Sequence, residues 1–415
     1  MRVFTLQHIR ARAVHCSFKI LTLGFAVIAA CLALHPHWVA AQNKPRTGLA
    51  RPLRLDEGIS WKRDPASGEL FLVHSNAGRE PGASDAAASS HSISVVTQVV
   101  PVTCSVVGPD GVAIQHLQQK DFRVFDDGSQ QPIVYFDASS LPANVALVID
   151  ASPSVLRESE EMKNAARALV DALGSADETA VVDFSAHTYL QIPFSNDWGL
   201  IRQAVGRVDA RQLLGDTGGT NIYKAVFIAA KELFAGRKGR KAMVLLTDGQ
   251  DSGLGLTLDP ATAQPRAGVP RDQLTFEDVV RELAAQDVQV FAVSTESRPK
   301  IMTANWLTTH AGQTLLTDSA RDGKIPAYTL YLAEMVRRSG GQLYFLREAS
   351  TLADTFHQIA VKIRAEYTIG FSPDENGAET PHAGWHHLQV AVSDHPDATV
   401  TSRASYYVPA NSAVQ

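Results

Sequence analysis

From residue 145 onward, short apolar runs alternate with longer segments of helical periodicity, and few folds accommodate that order. The run Val145-Ala146-Leu147-Val148-Ile149 has no polar interruption, as expected of a strand buried on both faces. A helix is predicted over 155–173, because Met162, Ala165, Ala166, Leu169, Val170 and Leu173 recur at three- and four-residue spacing. Further strands are predicted over 179–184, 242–247, 288–294 and 342–346, with an edge strand over 189–194. Helices are predicted over 200–208, 221–234, 276–285, 328–338 and 352–363. Right-handed crossovers between parallel strands place helices on both faces. The expected fold is α/β, a doubly wound, mostly parallel sheet over 144–365, flanked by small antiparallel β segments. Residues 252–272 and 297–325 carry little pattern and are expected to be surface insertions.

The flanks read differently. Residues 93–138 form an N-terminal β module, with β-branched alternation over 95–107, further strands over 122–125 and 133–136, and turns at Asp110-Gly111 and Asp127-Gly128. Residues 366–410 form a C-terminal β segment, with strands over 367–371, 387–392 and 405–408. Residues 42–92 are read as a flexible linker, most clearly over 78–90, with a short ordered element around Trp61, Phe71 and Leu72 left open. Residues 1–41 have Arg2, Arg10, Arg12 and Lys19 ahead of an apolar stretch and then Val39-Ala40-Ala41, the pattern of a cleaved secretory signal. An uncleaved membrane anchor and lipidation at Cys31 stay open as alternatives. The chain is therefore expected to be exported: periplasmic, cell-surface or secreted, touching membrane only through that signal or a lipid. Past the signal only Cys104 remains, so no internal disulfide forms, and its alternation with Val100, Val102 and Val106 makes it a buried strand residue.

The chemistry gathers where strands end. The first buried strand runs out into Asp150-Ala151-Ser152-Pro153-Ser154. Alternate residues of an extended loop point the same way, so Asp150, Ser152 and Ser154 present three oxygens to one point. Gly218-Gly219-Thr220 opens a helix, and Leu246-Thr247-Asp248-Gly249 ends a second buried strand at the same sheet edge. Ligands of open α/β sheets sit at that edge, and an all-oxygen set suits a hard cation. Taken singly, the serines and threonine read as helix caps and Asp248-Gly249 as a turn. Their order on successive strands favours a metal.

Other chemistries fail on residue type. The formal net charge is −5 with no clustered basic run, so no nucleic-acid partner is expected. Residues 215–220 lack a phosphate-loop lysine, and Gly253-Leu254-Gly255 does not open a helix, so no small-molecule cofactor is expected. No Gly-x-Ser-x-Gly elbow or His-Glu-x-x-His helix is present. A haloacid-dehalogenase-like phosphotransfer site would want a second aspartate where Ser152 stands. His386 and His387 are adjacent in a strand and point to opposite faces, which argues against a shared metal.

The motifs Asp-x-Ser-x-Ser at 150–154, Gly-Gly-Thr at 218–220 and Thr-Asp-Gly at 247–249 resemble the metal-ion-dependent adhesion site of von Willebrand factor A domains, over roughly 145–363. The flanking segments "KDFRVFDDGSQQPIVYF" and "EYTIGFSP" are similar to bacterial exported VWFA-related proteins of the kind Acidobacteria carry, a resemblance that implies the two flanking β segments pack together. The resemblance implies Asp150, Ser152, Ser154, Thr220 and Asp248 as metal ligands, directly or through water. It implies magnesium, with manganese or calcium as substitutes. It also implies a protein partner whose acidic side chain completes the coordination, hence adhesion rather than catalysis. An envelope assembly scaffold with a structural metal, and a metal-dependent hydrolase, are the competing expectations. The family usually has glycine and methionine where this chain has Pro153 and Val155, which bears on metal preference.

Overall fold

The computed structural model describes residues 49–65, 68–74, 99–110, 112–138, 142–208, 219–252, 273–300, 302, 325–346, 352–364, 366–373 and 383–408. The expected signal, the stretch 78–90, Gly218 and most of both expected insertions lie outside them.

The expectation of a linker over 42–92 fails in its middle. Leu53–Arg54 (β1) is a strand, and Ile59–Arg63 (β2) pairs antiparallel with Leu70–His74 (β3). Tertiary anchors hold these strands where local pattern is weak. Trp61 meets Phe227 edge-on at 5.5 Å, and Leu70 is buried. Arg63 clamps both oxygens of the buried Asp278 at 2.6 and 2.7 Å, a bidentate pair. Asp56 is buried and meets Arg54 Nε at 3.0 Å, His187 Nδ1 at 2.9 Å and Lys224 Nζ at 2.7 Å.

Val100–Val107 (β4), Phe122–Asp126 (β5), Ser129–Gln131 (β6) and Ile133–Asp137 (β7) follow, β6 being an addition to the sequence reading. Ala143–Asp150 (β8) is buried at every position, as a central parallel strand must be. Next come Ser159–Ala172 (α1), Glu178–Phe184 (β9), Thr188–Ser195 (β10), Trp198–Gly206 (α2), Ile222–Phe234 (α3) and Arg240–Thr247 (β11). Phe276–Gln286 (α4), Gln289–Ser294 (β12), Ala327–Ser339 (α5), Leu343–Phe345 (β13) and Leu352–Arg364 (α6) complete this part. The chain ends in Glu366–Phe371 (β14), Gly384–Val392 (β15), Thr399–Ser402 (β16) and Ser405–Val408 (β17).

The seven-stranded sheet has the order β1-β10-β9-β8-β11-β12-β13, parallel from β9 to β13 and antiparallel at β10 and β1. One face packs against α3, α4 and α5, the other against α1, α2 and α6, which is the doubly wound arrangement expected. Two details differ from the sequence reading. The strand expected at the sheet edge, β10, is covered by β1, through Leu53 opposite Leu190. The helix expected from Val155 starts at Ser159, because Pro153 opens a separate one-turn helix at Pro153–Val155.

The two flanking β segments form one sandwich with its own core around Val102, Cys104, Phe122, Ile369 and Leu388. Its sheets are β16-β4-β14-β7 and β17-β15-β5-β6, so each mixes strands from before and after the parallel sheet. Cys104 is buried in β4, opposite Tyr367, and forms no disulfide. Among the described residues, no helix is long and apolar enough to cross a membrane.

Candidate metal site at the carboxyl edge of the parallel sheet

Asp150 ends β8 beside the end of β11, and this neighbour relation fixes its carboxylate. Thr247 Oγ1 donates to Asp150 Oδ2 at 2.7 Å, and the Ser152 backbone N–H donates to Oδ1 at 2.9 Å. The Thr247 hydroxyl also accepts from the Gly249 N–H at 3.0 Å, so one side chain organises both strand ends. Ser152 is fully buried, and its Oγ lies 3.0 Å from Ser154 Oγ, on the exposed side of the loop. Pro153 disfavours helical backbone at the residue before it. Ser152 is extended (φ −73°, ψ 164°), which keeps Ser152 and Ser154 on one side.

Asp248 is buried and accepts from the Gln250 N–H at 2.8 Å, in a turn that Gly249 makes at φ +86°. Thr220 reaches the same edge from the start of α3. Its N–H donates to Ser252 Oγ at 3.2 Å and its carbonyl accepts from the Ser252 N–H at 2.7 Å. Gly219 adopts φ +89°, and a Cβ there would come within 2.8 Å of Ser252 Oγ, so glycine is needed on both counts. The first N–H of α3, on Ile222, is taken by Asp251 Oδ1 at 2.6 Å. The loop after β11 therefore caps α3, and the Thr220 hydroxyl stays outside the capping pattern.

The electrostatics are lopsided. Burial pushes the Asp150 carboxyl up to about 7; hydrogen bonds from Ser152 and Thr247 pull the other way, and the charge of Asp248 adds to the rise. Among the described residues, no cationic side chain pairs with Asp150 or Asp248. Two buried carboxylates thus stand among neutral donors, beside three hydroxyls. All the donors are hard oxygens, and a divalent cation would offset both charges. The residues fit such an ion.

The structure brings Asp150, Ser152, Ser154, Thr220 and Asp248 to one edge. Sequence reasoning gave no role to Thr247, Asp251 or Ser252, which orient that edge. Thr247 was visible only as the residue before Asp248, and the caps come from a loop whose destination no periodicity reveals. Elsewhere His386 is buried while His387 faces out, as alternation requires. His386 Nδ1 lies 3.2 Å from Asp126 and 3.1 Å from Asp127, a trio that ties the β5–β6 turn to β15.

Residues 145–250 match the family model of the von Willebrand factor type A domain. No curated protein matches the chain. Among solved structures, an aerotolerance-related membrane protein from Bacteroides fragilis is 17% identical over 53% of this chain and 98% of its own, with a TM-score of 0.36. A von Willebrand factor type A protein from Catenulispora acidiphila is 13% identical over 74% of each chain, also at 0.36. Proximal thread matrix protein 1 from the mussel byssus, in a form with zinc in its MIDAS motif, is 17% identical over 56% of this chain and 48% of its own, again at 0.36. The assignment rests on the family model and the strand-end motifs: this chain carries a von Willebrand factor type A domain.

Proposed function

We propose that the chain holds a divalent cation through Asp150, Ser152, Ser154, Thr220 and Asp248, and through that cation binds the acidic side chain of a protein partner. One observation carries the reading: Asp150 and Asp248 are both buried, and they accept hydrogen bonds from a hydroxyl and backbone N–H groups. Magnesium suits this hard-oxygen set and keeps waters that a partner carboxylate can replace. Manganese and calcium take the same donors. The exposed Leu156, two residues beyond Ser154, offers an apolar contact beside the metal. In this reading the domain binds rather than catalyses, and the basic-then-apolar N-terminus supports export from the cytoplasm.

The test is calorimetric titration of magnesium, manganese and calcium into the chelator-treated full chain, beside an Asp150→Ala/Asp248→Ala variant. Saturable binding that the folded variant lacks supports the site. A wild type that binds none of the three, with or without glutamate as a mimic of the partner's side chain, overturns it and leaves a scaffold without metal.

A further inference from the structure

A cavity of about 260 Å³ lies where the β2–β3 hairpin, α4 and the sandwich meet, away from the edge just described. Its walls are largely apolar, with Leu70, Val100, Pro101 and Phe227 among them. Two arginines also line it, Arg281 from α4 and Arg403 from the turn before β17. In each, Nε is buried and has no hydrogen-bond partner. Such orphaned donors are rare, and each cationic one is costly to leave unmade.

The two arginines are occupied differently. Arg403 is 6% exposed and gives Nη1 to the Ala284 carbonyl and Nη2 to the Pro101 carbonyl. Its nearest acid, Asp287, is 3.8 Å away, and burial pushes its guanidinium below the ordinary value. Arg281 lies over the Tyr407 ring at 4.6 Å, a cation–π contact beside its unsatisfied Nε. The acids in the wall are engaged elsewhere: Asp278 with Arg63, and Glu282 with Lys231 at 3.2 Å. Glu69 is exposed at the rim.

We infer that this cavity binds a small monocarboxylate with an apolar or aromatic body, its carboxylate facing Arg281 and Arg403. The apolar wall takes the body, and the buried guanidinium donors take the anion. The volume equals roughly eight waters at ~30 Å³ each, room for about ten non-hydrogen atoms.

The probe is phenylacetate, titrated into the full chain in the presence of EDTA so that a carboxylate on the metal edge does not contribute. Binding is followed by calorimetry and ligand-observed NMR, with phenylacetamide as the uncharged control. The expected result is one saturable site, with the amide weaker by about tenfold or more. Arg281→Gln weakens phenylacetate by about tenfold with an unchanged melting temperature. Arg403→Gln is avoided as the main variant because Arg403 also ties α4 to β4. Equal binding of the amide, indifference to Arg281→Gln, binding that appears only with magnesium, or no saturation overturns the inference.

Discussion

Asp56 and Asp150 are both buried aspartates near the ends of strands in the same sheet, and their protonation goes opposite ways. Burial raises the pKa of each. At Asp56, hydrogen bonds from Lys224, His187 and Arg54 and the Lys224 charge overcome it and hold the carboxyl at about 2. At Asp150 the partners are a hydroxyl and a backbone N–H, the neighbouring charge is another aspartate, and the carboxyl rises to about 7. Asp56 is a finished ion network that pins the N-terminal strands to α3. Asp150 has the geometry of a carboxylate whose cation comes from solution. The same side chain is structural or receptive according to what faces it.

The sharpest way to break that contrast is Asp150→Asn. Magnesium binding should fall at least a hundredfold, or about 3 kcal/mol. The same variant should stabilise the metal-free chain at pH 8. Between the unfolded value near 4 and the folded value near 7, the folded state holds a proton that the unfolded state has lost. Stability therefore falls as pH rises through this window and stays low above it, by on the order of 4 kcal/mol. Urea unfolding at pH 5 and pH 8, with and without magnesium, reads this. A metal-free variant no more stable than wild type at pH 8 would contradict it.

Asp56→Asn should do the reverse: destabilise at pH 7 by on the order of 2 kcal/mol and leave magnesium affinity unchanged. The contribution of Asp56 is present above the unfolded value near 4 and is lost as pH falls through about 2. The penalty should therefore shrink markedly at pH 2.5. An equal penalty at both pH values would show that packing, not charge, is being read. The smallest effect expected is from Thr247→Val, which removes a hydrogen bond favouring the charged form of Asp150 and leaves the Gly249 N–H without its acceptor. Destabilisation of about 1 kcal/mol should accompany magnesium binding a few-fold weaker at pH 7, recovering by pH 9. Calorimetry at the two pH values decides it; a loss equal at both would mean the strand ends had moved.

What the sequence made legible was local. The unbroken apolar runs of β8, β11 and β12 announce strands buried on both faces, and the strand-end aspartates with their serines stand within a few residues of those runs. What it hid depends on partners far along the chain. Leu53–Arg54 is two residues long and is a strand only because Leu190 and Tyr189 lie opposite. Ser129–Gln131 and Thr399–Ser402 have no apolar alternation and gain their ladder bonds from β5 and β4. The union of the two flanking segments in one sandwich is likewise a long-range fact: the resemblance to exported relatives implied that they pack together, while the strand order that interleaves them is not visible window by window. At the carboxyl edge of the parallel sheet, residue types pointed to the proposed ligands, while the orienting bonds of Thr247 and the caps from Asp251 and Ser252 emerge only once the loops close.

The interleaved sandwich also sets a schedule. Val102 and Cys104 of β4 pair with Ile369 and Tyr367 of β14, made roughly 260 residues later than β4. At ~5–20 residues per second, between roughly 13 and 50 seconds separate a strand from its partner during synthesis. For that time β4 is an apolar strand with both edges open. A chain truncated before Glu366 never closes them, so an unfinished copy displays the mark by which a chaperone or protease would single it out.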